Sequence, residues 1–99
     1  MVKHIIVWKL KDEITDKNEV KSKIKRELEG LVGKIEGLTE MKILTEGFDS
    51  SSGDLMMDST FESNEALKGY QKSPFHVKVA NDTVRPNVAQ RLSFDYEIK

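Results

Sequence analysis

The 99-residue chain has no cysteine, so it has no disulfide framework and no thiol chemistry. It has two histidines and two prolines. Only His4 and His76 therefore bring a side chain that changes charge near neutral pH without special tuning. No HxH or HExxH spacing is present, so no metal centre is expected. Neither sign of charge dominates: 16 Lys and Arg stand against 17 Asp and Glu, for a formal net charge of -1. No basic stripe alternates with aromatics, which argues against nucleic acid as a partner. Long apolar runs are missing too. Ile5-Ile6-Val7-Trp8 is too short for a signal peptide and runs directly into Lys9, Lys11 and Asp12. No stretch is long enough to span a membrane. These absences lead to the expectation of a soluble, cytoplasmic protein, with residues 1–99 forming one domain.

The patterns that are present are periodic. "VKHIIVWKL" (2–10) is rich in β-branched and aromatic residues and predicts a strand. Its alternation places His4, Ile6, Trp8 and Leu10 on one face and Lys3, Ile5, Val7 and Lys9 on the other. Thr15 or Asp16 then caps a helix, with Asp16 and Glu19 spaced as a capping box. Val20, Ile24, Leu28, Leu31 and Ile35 form one apolar stripe, and Gly37 is the expected stop. A second strand is predicted over 38–48. The polar stretch "DSSSGD" (49–54) suits a hairpin and lacks the Gly-Lys-Ser/Thr ending of a phosphate loop. A third strand follows over 55–61. Ser63 caps a short helix over 64–70. Ser73-Pro74 restarts a helix, with Pro74 in its first position, running to about Asn81. "NDTVRPN" breaks it, and 88–98 closes as a strand with Leu92, Phe94, Tyr96 and Ile98 on one face.

The order is βαββαβ, which predicts an α+β ferredoxin-like fold with a four-stranded antiparallel sheet. Two helices cover one face of such a sheet and leave the other bare. Ile5, Val7 and Met56 fall on the bare face, or their neighbours do if the strands take the opposite phase, since both faces of the first strand carry apolar residues. An exposed apolar face of that kind calls for a partner surface. A homodimer packed through its sheet faces is expected.

"VKHIIVWKLKDE" at the start, "STFES" with Ala66, Leu67 and "YQKSPFH" in the second half, and "RLSFDYE" in the last strand resemble the stress-responsive A/B barrel family, over essentially the whole chain. The resemblance implies a dimeric α+β barrel. In some relatives that are cofactor-independent polyketide cyclases, it implies a catalytic tyrosine and histidine at the Tyr-x5-His spacing, with a first-strand histidine lining the pocket. On this sequence those positions are Tyr70, His76 and His4. The family often carries a further histidine where this chain has Ser73, which removes a candidate ligand or second base.

His76 falls in the first turn of its predicted helix, where the helix dipole disfavours positive charge. A neutral imidazole there suits a general base. Tyr70, as a protonated phenol, suits a hydrogen-bond donor to a developing enolate. Ile6 and Trp8 lie on the face of His4 and form an apolar wall suited to a small apolar or phenolic ligand. Two other functional classes fit the pattern. One is a stress-associated binding or assembly protein in which these residues are structural. The other is a monooxygenase-like barrel enzyme, which rests on the fold alone.

Overall fold

The computed structural model describes residues 1–98. Strand β1 spans Val2–Leu10, helix α1 Lys17–Glu29, β2 Leu38–Leu44, β3 Leu55–Phe61, α2 Asn64–Lys72, α3 Pro74–Val79 and β4 Val88–Glu97. The sheet order is β2-β3-β1-β4 and every neighbouring pair is antiparallel. This is the ferredoxin-like α+β fold anticipated from the order of the elements.

Local chemistry sets the element ends. The Asp16 carboxylate accepts a hydrogen bond from the Glu19 amide at 3.0 Å, and the Ser63 hydroxyl accepts one from the Ala66 amide at 3.1 Å. Each satisfies an amide left free by the first turn of a helix. Pro74 opens α3 in the position where its missing N–H costs nothing.

Helix α1 is shorter than its apolar stripe. It ends at Glu29, and Leu31 and Ile35 reach the core from a chain of turns. Gly33 and Gly37 adopt φ of 90° and 84°, a region open mainly to glycine. A Cβ on Gly37 would stand 2.4 Å from the Cβ of Ala66, so glycine also lets this turn approach α2. Strand β2 stops at Leu44, and the predicted extension to 48 leaves the sheet, with Phe48 86% exposed. Beyond α3 the chain does not break at Asn81. It winds on as a wide π-type turn over Ala80–Val84 and a short 3-10 turn over Arg85–Asn87.

The two sheet faces differ sharply. Ile6, Trp8 and Leu10 of β1, Leu55, Met57 and Phe61 of β3 and Ile24 and Leu28 of α1 belong to one buried core. On the opposite face, Val7 pairs with Met56 and Leu92, Ile5 with Phe94, Lys3 with Tyr96, and Leu44 with Met56. Residues paired across antiparallel strands share a face. Leu92 and Phe94 are 76% and 69% exposed there, and Leu44 and Tyr96 are exposed as well. The phase of β1 is thereby fixed, with His4, Ile6 and Trp8 turned to the helices.

Candidate active site

β1, α2, α3 and the turns before β4 enclose a cavity of about 560 Å³ between the helices and the β1–β4 side of the sheet. His4, Tyr70 and His76 all line it, and so do Ile6 and Trp8. Sequence positions 4, 70 and 76 meet because α2 and α3 lie over β1, and the break at Ser73 turns His76 back toward Tyr70. The Tyr70 and His76 rings are 4.1 Å apart between centroids, tilted by 38°. The His4 ring lies 6.4 Å from that of Tyr70, and Phe61 packs against both. Leu28 and Met57 extend the apolar wall.

Tyr70 is fully buried, and its hydroxyl has no hydrogen-bond partner among the described residues. The Nδ1 of His76 is buried and unpartnered in the same sense. A buried polar atom left unpaired costs about 1–3 kcal/mol, so two of them beside one cavity make a polar gap in an otherwise apolar core. Burial pushes the Tyr70 phenol well above its ordinary value, against a smaller opposing pull from Arg91. The phenol therefore stays protonated and keeps its proton to donate. Burial lowers His76 to about 4, and repulsion from the charged forms of His4, Arg85 and Arg91 adds to the shift. The shift runs in the direction expected from the sequence, with a different cause. Desolvation dominates, and α3 has only six residues, too short for a full helix dipole to act.

His4 is buried and its Nδ1 is hydrogen-bonded to the Asp95 carboxylate. An ionised carboxylate only accepts, so Nδ1 donates and the ring is held in one orientation. The Ser59 hydroxyl donates to the His4 carbonyl oxygen at 2.7 Å and anchors the backbone. Sequence reading did not single out Asp95, Arg91 or Arg85. One signal was available for the first two. β4 puts its apolar residues on the bare face, so Arg91, Ser93 and Asp95 must face the helices, opposite Trp8, Ile6 and His4. The helices leave that side of β4 exposed, so its charged residues stand at the edge of the cavity and not under a covered core. Arg85 sits in the 3-10 turn, which no pattern announced. Among the described residues no group of three His, Cys, Asp or Glu is gathered as a metal site would need.

The model of the Dabb family, the stress responsive A/B barrel domain, matches residues 2–98. The chain belongs to this family. No curated protein matches the sequence. Among solved structures, a dimeric protein of unknown function with a ferredoxin-like fold from Bacteroides fragilis superposes with a TM-score of 0.88 at 25% identity, covering 98% of this chain and 95% of that one. A protein from Arabidopsis thaliana gives 0.83 at 24% identity, over 100% and 96% of the two chains. The hydroxynitrile lyase of Passiflora edulis gives 0.82 at 19% identity, over 99% and 93%. At the last two identities the likeness is one of fold. Among the described residues of this Dabb chain, no helix is long and apolar enough to cross a membrane.

Proposed function

We propose that this Dabb protein binds a small carbonyl or phenolic compound in the cavity at His4, Tyr70 and His76, and transforms it by cofactor-independent proton transfer through an enolate, in the manner of a cyclase or lyase. The observation that carries the reading is the pair of buried, unpartnered polar atoms, Tyr70 Oη and His76 Nδ1, beside a cavity of about 560 Å³.

The roles follow from the environments. His76 is neutral above about pH 5, since burial holds its conjugate acid near 4, and so it has a lone pair with which to take a proton from carbon next to a carbonyl. A weakly basic imidazole gains from its product. The enolate that forms beside it is negative, and an adjacent negative charge stabilises the imidazolium. Tyr70, held protonated by burial, donates to the enolate oxygen as charge develops there, which is where a donor lowers the barrier most. His4, oriented by Asp95, fixes the ligand against the Ile6–Trp8 wall. The fold is compatible with lyase chemistry, since the Passiflora edulis enzyme shares it, but that likeness assigns no residue here.

Assembly belongs to the same reading. The exposed Leu92, Phe94 and Leu44 face is best covered by the equivalent face of a second copy, giving a homodimeric barrel. That the Bacteroides fragilis relative is dimeric supports this.

The test of function is a two-dimensional NMR screen of phenols, β-diketones and fatty acids against wild type and His76→Ala. The expected result is a compound that shifts resonances at Tyr70, His76 and Ile6–Trp8, binds more weakly to the variant and, if it carries an α-proton, exchanges that proton faster with wild type than with the variant. Binding without exchange would reduce the protein to a carrier. The absence of any binder would remove the site.

A further inference from the structure

We propose that the ligand of this cavity is an anion: a carbonyl or phenolic compound bearing a carboxylate, which is held at the cavity mouth by Arg91 and Arg85. This rests on the reading of the cavity as a ligand site and names the chemical class it takes.

Three observations carry it. The first is a charge imbalance. The chain has 17 acidic residues and 16 Lys and Arg, yet among the described residues no Asp or Glu lines the cavity, whereas Arg85, Arg91 and both histidines do. Random placement on so balanced a surface would mix the signs, as it does on α1, where Lys25 pairs with Glu29 at 2.8 Å.

The second is that neither guanidinium is paired with an acid among the described residues. Arg91 forms no ion pair within the described residues. The nearest acid on the same side of β4, Asp95, is engaged by His4. Arg85 donates to the side-chain oxygen of Asn81, a neutral partner that leaves its charge unmatched. Both side chains line the same cavity as His76 and Tyr70, so both charges lie beside the reacting groups.

The third is the layout. Exposed Gln71, Arg85, Gln90 and Arg91 form the rim, and the walls behind them are Ile6, Trp8, Leu28 and Met57. Guanidinium groups bind carboxylates through paired, charge-assisted hydrogen bonds. An apolar body with an acid group at one end would place its acid at the mouth and its carbonyl near Tyr70 and His76. The same positive rim would draw an anionic ligand in from solution.

The experiment uses a matched pair of aryl ketones, 4-acetylbenzoate and its methyl ester, titrated by two-dimensional NMR into wild type, Arg91→Gln and Arg85→Gln/Arg91→Gln. Both positions are exposed, so the variants are expected to fold. Wild type should bind the carboxylate about tenfold more tightly than the ester, the effect of one charge-assisted hydrogen bond. Arg91→Gln should remove most of that preference and the double variant all of it, with the ester's affinity changing far less than the carboxylate's. Added salt should weaken the carboxylate only. If both compounds bind the cavity of wild type equally, or the double variant keeps the preference, the anion inference is overturned while the cavity reading stands. If neither compound perturbs the cavity residues, both are overturned.

Discussion

Under the helices, His4, Ser59 and Tyr70 are buried beside Ile6, Met57 and Phe61; on the other side of the same strands, Leu92 and Phe94 are 76% and 69% exposed. Each face departs from the usual rule in the opposite direction. The covered face keeps polar atoms from water without giving all of them partners. The bare face shows water the apolar area whose burial is worth about 25 cal/mol per Å². The covered face sets polar atoms beside a cavity, and the bare face presents a flat apolar surface. Burial alone would have drawn attention to the core and exposure alone to the surface charges. The mismatch between polarity and burial points to the function.

Substitutions on both faces and one titration would break or sharpen that contrast. The largest effect is expected in the covered core. Leu28 is 1% exposed, and Leu28→Ala should lower unfolding stability in urea by about 2–5 kcal/mol. Its counterpart on the bare face is Leu92→Ala. On an isolated sheet that change should cost no more than about 0.5 kcal/mol. In a sheet-to-sheet dimer it should cost more, and the cost should grow as the protein is concentrated. Equal, concentration-independent losses at the two positions would erase the distinction between the faces.

Next is assembly. Phe94→Glu places a charge in the middle of the bare face, opposite Ile5, where an uncompensated charge in an interface is strongly disfavoured. Light scattering should report a dimer for wild type and a monomer of unchanged circular dichroism for the variant. A wild-type monomer at micromolar concentration would leave the apolar face in need of another explanation.

A smaller effect is expected from pH. His76 is lowered from 6.5 to about 4 in the folded protein, chiefly by burial. The unfolded chain then binds a proton more readily than the folded one between those two values. This contribution to stability is fully present above the unfolded value near 6.5, and it is lost as pH falls toward 4. With a discount for the part of the ring that water reaches, the loss should be on the order of 1 kcal/mol between pH 7 and pH 4. His76→Gln should flatten that part of the stability profile. An unchanged profile in the variant would mean that water solvates the histidine freely.

Much of the covered face was legible in the sequence and rather little of what completes the site. The alternation of β1 placed His4 with Ile6 and Trp8, and the caps at Asp16, Ser63 and Pro74 set where the helices begin. These are local signals, read from a few neighbouring residues. The end of α1 was not legible, because Leu31 and Ile35 keep the helical spacing although the backbone leaves the helix after Glu29 and runs on in turns, where Gly33 and Gly37 take positive φ. The π-type turn at Ala80–Val84 was hidden in the same way. "NDTVRPN" has the composition of a break, yet packing of Ala80, Thr83 and Val84 keeps it wound. Asp95 and Arg91 depend on the register between β1 and β4, 91 residues apart at His4 and Asp95. Pairing at that distance is a tertiary property, and no single stretch of sequence records it.

The contrast is tested most directly at Tyr70, by measuring the stability of Tyr70→Phe and its affinity for a carbonyl ligand found with wild type. The hydroxyl is buried without a partner, so removing it should leave stability unchanged or raise it by up to about 1 kcal/mol, while ligand affinity falls about tenfold or more. A group kept at a cost to folding and needed for binding is what the account predicts. A variant that loses stability and binds as well as wild type would contradict it, and would make Tyr70 an ordinary member of the core.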